Sequence, residues 1–552
     1  SVGGLSADQN STTLNGMAFS GADIPRAAQT NVRVTSSTYD PSRGWFGGLN
    51  ENVELSQGNI FSQRRADITI DAPALQYTDP ISARMGQRFS NVGLDFGGDG
   101  SMSEDKYVYN YGIHAGRHSS DAVSLSGAAP DLLQRAGVSA DSTERLFNIL
   151  SAAGVPLRAR GVPSSNINQN LSFIGRIDHA PYNWANFTPA KTTWGLLAYG
   201  KISNDNLLGI TPTATLASGG SSSQQMGTLQ ALFSTYLHGD YLNEERSAFS
   251  YSRNRTEPFL SLPGGHVLVA SSFPDGTGGL TSLNFGGNSS MLSDTRQWTW
   301  ETTSETQFYA RGKAAHRVKL NADSRLDGVS QNVSSNSLGS FSFNSLADLA
   351  ANQPSSFSRS LNAPRLSGSV WNGFAAIGDL WRVSPTFQIL YGGRFEANRY
   401  TSAPAYNPGV ESTFGLRTDD APNTVHFSPR MGFTWIRQKG GPSLMFNRIG
   451  EFRTEAPSYV RGGIGEFRNI LPANLLSNAS IATGLPGGLQ TISCVGPATP
   501  VPDWNQYMSD PSLVPTQCLA GGAPAFSDAA PSVQLFDPAY TAPRTWRANL
   551  AY

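Results

Sequence analysis

The sequence predicts an all-β chain: a transmembrane antiparallel β-barrel, incomplete over this length, with a first segment of different character. Three observations carry that reading. Long stretches alternate apolar and polar residues with period two. Short and long connections between them follow one another in turn. Charge is sparse, whereas glycine, small polar residues and aromatics are plentiful.

The clearest stretch is 296–327. Trp298, Trp300, Thr302, Ser304, Thr306 and Phe308 share one face of a strand; Gln297, Thr299, Glu301, Thr303, Glu305 and Gln307 share the other. In the next strand Val318, Leu320 and Ala322 alternate with Arg317, Lys319, Asn321, Asp323 and Arg325, after a tight turn expected at Arg311–Lys313. A soluble sandwich would fill its inward face with Val, Ile and Leu. Here one face has aromatics at its ends and modest residues between, and the other is wholly polar, as lipid outside and water inside require. At about 3.3 Å per residue and a tilt of about 45°, Trp298 to Phe308 spans roughly 23 Å, the height of an outer-membrane apolar band.

Composition agrees. Of 552 residues, 15% are charged, against about 25% in ordinary soluble domains. Glycine contributes 57 residues and the hydrophobic share is only 39%. A net charge of −1 makes no electrostatic case for nucleic acid. No apolar run approaches the roughly 18 residues of a membrane helix, which leaves barrel strands open. Cys494 and Cys518 lie in one loop-like region. They suit a local disulfide in an oxidising compartment, the other reading being two free buried thiols.

Taken in order, residues 1–62 are mixed and punctuated by glycine, and short strands and turns are expected. The rhythm changes at residue 63. Strands are expected near 63–77, 90–99, 105–118, 170–181, 191–204, 226–238, 243–256, 295–309, 314–328, 366–381, 386–400, 426–438, 443–455 and 544–552. Short links fall at Gly100–Glu104, Arg311–Lys313, Arg382–Pro385 and Lys439–Pro442, and long ones at 119–169, 257–294, 329–365 and 456–543. Outer-membrane barrels sort short turns and long loops to opposite sides; a soluble sandwich has no reason to. Helices are expected at Ser142–Ala153 and Asn344–Asn352 inside two long loops.

Motifs for chemistry are wanting. His114 and His118 on a strand stand about 13 Å apart, too far to share a metal. Asp95, Phe96 and Gly97 spell a kinase triplet without its companions. Asn321, Asp323 and Asp327 resemble a calcium loop in which Arg325 occupies a ligand position, so a polar row facing the lumen is the better reading, with Arg317 and Lys319 in it. No nucleophile elbow, phosphate loop or zinc helix is present, and nothing argues for an enzyme, a metal or a cofactor. The specific signal is aromatic. Tyr107, Tyr109, Tyr111, Trp298, Trp300, Phe308, Tyr391 and Trp435 lie on outward faces, where amphipathic rings favour the headgroup layer.

Several short stretches, in this order, resemble TonB-dependent outer-membrane receptors, particularly the Oar-like group whose plug follows a carboxypeptidase-regulatory-like domain. They are Asp8–Gly16 (DQNSTTLNG), Tyr39–Gly48 (YDPSRGWFGG), Trp381–Pro385 (WRVSP), Tyr391–Glu396 (YGGRFE), Phe427–Phe433 (FSPRMGF) and Thr545–Leu550 (TWRANL). Asn15-Gly16 stands where the family's plug usually has Asp-Gly. The resemblance implies a plug within a 22-stranded barrel. Residues 1–62 would be the C-terminal part of the plug and 63–552 a partial barrel. It further implies a Gram-negative outer membrane, a lipid surround, an extracellular ligand, and energised import through contact with the TonB complex in the periplasm. The energy-coupling box would precede Ser1, and the fourteen expected strands fall about eight short of closure, so part of a longer receptor is expected. The long connections would be extracellular, with Cys494 and Cys518 in the exposed loop 456–543; Arg461 and Arg468 in that loop could contact ligand, a solvated or loop-packing role being the better reading. The other readings are a passive porin or adhesin-like barrel, and a secreted soluble all-β glycan-binding or lyase-type protein.

Overall fold

The computed structural model describes residues 10–552 apart from 22, 36–38, 76, 78–88, 104–105, 129, 159–161, 163–164, 180–181, 184–187, 190, 238–239, 274, 311–314, 334, 362–364, 438–457 and 520–529. The expected turn at Arg311–Lys313, the expected link at Lys439–Pro442 and the expected strand at 443–455 fall outside the described residues.

The first unit is a four-stranded sheet of β1 (Ser11–Leu14), β2 (Met17–Ala18), β3 (Thr30–Thr35) and β4 (Asn50–Leu55), in the order β2-β1-β4-β3. The second is a fourteen-stranded wall. Its early strands are β5 (Gln63–Asp71), β6 (Phe89–Met102), β7 (Tyr107–Asp121) and β8 (Ser165–His179). A small hairpin, β9 (Tyr182–Asn183) and β10 (Thr188–Pro189), leads to β11 (Thr192–Leu208), β12 (Gly220–Leu237) and β13 (Tyr241–Pro258). Next come β16 (Ser293–Ala310), β17 (Ala315–Val333), β20 (Arg365–Ser384), β21 (Phe387–Tyr400), β22 (Asn423–Arg437), β23 (Ser458–Arg468) and β26 (Arg544–Ala551). Every wall strand pairs antiparallel with the wall strands before and after it, and β5 and β26 are the edges.

One strand was hidden from the pattern. β23 occupies the start of the stretch expected to be loop, and Arg468 on it is 6% exposed and bonded to Glu466 rather than solvated. Gly462, Gly463 and Gly465 erase its apolar alternation. They are needed: a Cβ on Gly463 would come within 2.6 Å of the Tyr39 ring.

The wall has two contrasting faces. Outward lie Ile70, Phe96, Leu171, Leu196, Leu229, Phe249, Leu320, Ile377 and Ile464, all exposed. Phe395 is 60% and its cross-strand partner Phe427 51% exposed, with ring centroids 5.0 Å apart. So continuous an apolar face in water would drive association; lipid removes that penalty. Replacing Phe395 by Arg is expected to lower the stability of the membrane-inserted protein by about 2–4 kcal/mol, the cost of a cation in mid-bilayer. Urea titration in lipid vesicles checks this, and an unchanged midpoint would place Phe395 outside the bilayer.

Inward, the wall wraps the N-terminal sheet. Arg65 on edge strand β5 donates to the Ala27 carbonyl, and Arg547 on the opposite edge strand β26 donates to the Gly47 carbonyl. Both edges therefore reach one segment of 60 or so residues, which a flat sheet could not do.

At the end of the wall with the long connections, several excursions fold together. β14 (Gly264–Ser272), β15 (Gly278–Gly286), β18 (Ser340–Phe343), β19 (Ser356–Leu361), β24 (Gln490–Val495) and β25 (Ala530–Pro531) form a six-stranded sheet. Helices Ala140–Ala152 and Leu346–Ala350, close to the expected ones, pack on it with Trp504–Ser509. They enclose one core of Leu146, Leu150, Leu283, Phe285, Phe341, Phe357 and Trp504. The two helices expected inside long loops are thus parts of one cap drawn from four connections.

Candidate functional site

The interface between residues 10–60 and the inner wall is where functional side chains collect. Its geometry begins with local rules. Asn15 (φ 51°) and Gly16 (φ 82°) both have positive φ, the two-residue hairpin turn that Asn-Gly favours, and β1 pairs with β2 on either side. Farther on, Trp45 holds φ 66°, an uncommon state for an aromatic residue. It persists because the wall grips the stretch 39–48 from several directions.

Arg394 on β21 is fully buried. Its Nε donates to Glu396 at 2.9 Å and its Nη1 to the Pro41 carbonyl at 3.2 Å. The guanidinium lies 3.4 Å from the Phe374 ring centre and 5.0 Å from that of Trp45. Gly44 lies against it, and a Cβ there would sit 2.5 Å from Arg394 Cζ. Arg430 on β22 donates to the Asp40 carbonyl at 3.2 Å and to the Arg43 carbonyl, stacked 4.3 Å over Phe467. Lys319 on β17 meets the Asp40 carboxylate at 2.7 Å, and the Trp45 indole donates to Asp323 at 3.3 Å. Burial pushes the Asp40 carboxyl up, but Lys319 and hydrogen bonds from Ser42 outweigh burial and hold it below the ordinary carboxylate value.

The opposite wall holds the segment by apolar packing. Leu14, Phe19, Val53 and Leu55 form a core with Ile174, Leu197 and Tyr199. Around it Arg176 donates to the Leu55 carbonyl at 2.8 Å, Gln230 to the Leu14 carbonyl at 3.0 Å, and Asn110 to the Gln29 and Ser56 carbonyls. Between the two grips the fit is loose. An upper cavity of 270 Å³ lies between Ser20, the wall at Arg325 and Asp327, and Pro472–Asn474 descending from the cap side. A lower cavity of 440 Å³ lies toward the short-connection end, against Arg176, Gln230, Glu244 and Arg246.

The residues expected to face the lumen all lie on the inner face. Lys319 and Asp323 touch the segment as described. Arg325 pairs with Asp327 at 2.8 Å, and Arg317 reaches Gln307 at 2.9 Å below them. The expected aromatics lie on the outer face in two settings. Tyr107 packs 5.8 Å from Trp194, Phe308 packs 5.5 Å from Tyr241, and Trp435 pairs with Phe387, all near the short-connection end. Tyr109 stacks on Tyr111, Tyr391 donates to Asp379, Trp300 is 58% exposed, and Trp298 lies over Gly328. Cys494 and Cys518 are joined in the cap. His114 bonds Asp95 at 3.1 Å, and among the described residues no group of three or more ligating side chains gathers.

Arg394, Glu396, Arg430 and Glu301 were not singled out by their types. A signal was there: a charge within a strand that must face lipid on one side is forced to the other. The stretches Tyr39–Gly48, Tyr391–Glu396 and Phe427–Phe433, far apart in sequence, meet at this one place.

Comparisons with known proteins bear on the whole arrangement. No curated protein matches the chain. Among solved structures, the outer membrane transporter YddB from Escherichia coli superposes with a TM-score of 0.53 at 11% identity, over 86% of this chain and 55% of that one. A mutant of the ferric enterobactin receptor PfeA from Pseudomonas aeruginosa gives 0.48 at 11% identity, over 89% and 59%. The siderophore receptor PiuA from Acinetobacter baumannii gives 0.45 at 9%, over 88% and 61%. The chain therefore spans little more than half the length of these proteins. A family model described as an outer membrane beta barrel domain matches residues 143–552. That range takes in the wall from β8 to β26, with its lipid-ready outer face and polar interior. The chain belongs to this outer membrane β-barrel family and is a protein of the Gram-negative outer membrane.

Proposed function

We propose that the protein is a plugged outer-membrane receptor that binds an extracellular ligand and imports it by moving the segment within its wall. In this reading residues 10–60 belong to the plug, and contact with the TonB complex drives the motion. The observation that carries it is the grip of Arg394, Arg430 and Lys319 on residues 40–43, deep inside the wall. A passive porin would keep its lumen open, and an adhesin would need no polar seal at this depth. A soluble binding protein would not present Phe395, Phe427 and Ile377 to water.

The reading requires no covalent chemistry: work would be conformational, with ligand specificity in the cap and the upper cavity. Growth of a Gram-negative host on single iron chelates, vitamins, glycans or peptides, with and without the gene, tests it. Gene-dependent growth that a protonophore abolishes is expected. Gene-dependent uptake indifferent to the proton gradient would establish the passive alternative.

A further inference from the structure

The upper and lower cavities belong to a series. A third, of 90 Å³, lies between them against the wall at Asn321 and Asp323. It shares Arg325 with the upper cavity, and Gly16, Arg43, Glu244 and Arg246 with the lower one. Register puts the three in vertical order. On β16, which descends from the cap, the upper cavity meets Gln297–Thr299 and the middle one Glu301–Glu305. On β13, which ascends, Glu244 and Arg246 are low and Ser250–Ser252 higher.

Between the chambers lies the β1–β2 hairpin, with Arg43 of the gripped stretch beside its Gly16 turn and on the lining of the lower two. The Ala18 amide at its upper side donates to Glu301 at 2.6 Å. Its Gly16 turn lies against Arg246, which pairs with Glu244 at 3.3 Å. The middle chamber also holds an unsatisfied donor: Asn321 is 8% exposed and its Nδ2 has no partner. A buried amide without a partner costs stability unless something polar visits it.

We propose that the ligand's route runs down the β13–β16–β17 wall, and that the β1–β2 hairpin is its gate. The gripped stretch 39–48 stays in place while the hairpin swings from Glu301 and Arg246, joining the three chambers. The lining of amides, hydroxyls and charges of both signs suits a hydrophilic solute that donates and accepts hydrogen bonds. This rests on the receptor reading above.

Single cysteines and a sulfonated, membrane-impermeant maleimide added to intact cells test it; Cys494 and Cys518 are already bonded to each other. Gln297→Cys, exposed on the lining, reports the upper chamber, Asn321→Cys the middle one, and Ser428→Cys the gripped side, where Ser428 is fully buried on Glu396. Gln297→Cys, at an exposed position, is expected to react readily and the other two, at buried positions, slowly. Adding Glu301→Ala should speed labelling of Asn321→Cys at least about tenfold, as loss of a hydrogen bond to a charged group implies, and leave Ser428→Cys unchanged. Gly16→Ala, which strains the turn at φ 82°, should act in the same direction. Unchanged labelling at Gln297→Cys and unchanged heat-modifiable mobility would show that both variants fold. If Asn321→Cys stays slow in both, or Ser428→Cys accelerates with it, the hairpin gate is overturned and the receptor reading survives. If Gln297→Cys cannot be labelled from outside, the receptor reading itself fails.

Discussion

Replacing Arg394 by Ala is expected to free the 39–48 stretch from the wall while the wall itself stays formed. The side chain is fully buried, and it is the counter-charge for Glu396, which is 2% exposed. Removing one member of a buried pair leaves the other uncompensated, at a cost of about 3–5 kcal/mol. The loss also strips the Pro41 carbonyl of its donor and leaves a void between Phe374 and Trp45. The strained Trp45 backbone then loses its stacking partner. Wall strands β20 to β22 keep their ladders, because these are made between backbones. Two measurements check this in detergent micelles. The melting temperature should fall, and a protease cutting after Arg43 should cleave the folded protein at that site. Adding Glu396→Ala should restore part of the loss, since the orphan charge goes too. Arg394→Lys should fall between, because an ammonium keeps the charge but cannot fork to Glu396 and Pro41 or stack flat on Phe374. Full protease resistance in Arg394→Ala would show that the segment is held by the apolar side alone.

The second large effect is expected in the cap and should stop there. Phe341 and Phe357 are fully buried, with ring centroids 4.3 Å apart, and Trp504 lies edge-on to Phe341 at 5.6 Å. Truncating Phe341 to Ala should cost about 3–5 kcal/mol of cap stability. The cap's core is separate from the contacts that hold the wall, so its opening is a local event. External protease on intact cells should then cut within 490–519, and Cys494, now 1% exposed, should become accessible to reductant. Heat-modifiable mobility should not change. If mobility and cap protection are lost together, cap and barrel form one cooperative unit and the independent-core reading is wrong.

How much of this was legible beforehand depends on the range of the interaction. The alternation around Trp298–Phe308 and Arg317–Arg325 forecast strands, their faces and their length, because side chains on a strand sort to opposite sides wherever it lies. Where glycines replaced the alternating residues, as at Gly462, Gly463 and Gly465, the same rule failed: these positions are shaped by close neighbours, the Tyr39 ring at Gly463 and the Arg430 side chain at Gly465. The cap was invisible for a related reason. Its helices could be read locally, but Phe285, Phe341 and Trp504 come from separate connections, and no periodicity within one connection records that they share a core.

Local chemistry therefore specifies a series of lipid-facing strands, long connections at one end, and a polar interior, because burial in lipid or water acts on each residue separately. The meeting of Asp40 with Lys319, of Pro41 with Arg394 and of Ala18 with Glu301 is of another kind. These pairs are separated by about 280 residues or more. They exist only once the wall has curled, and only its curvature decides which inward charge reaches which carbonyl.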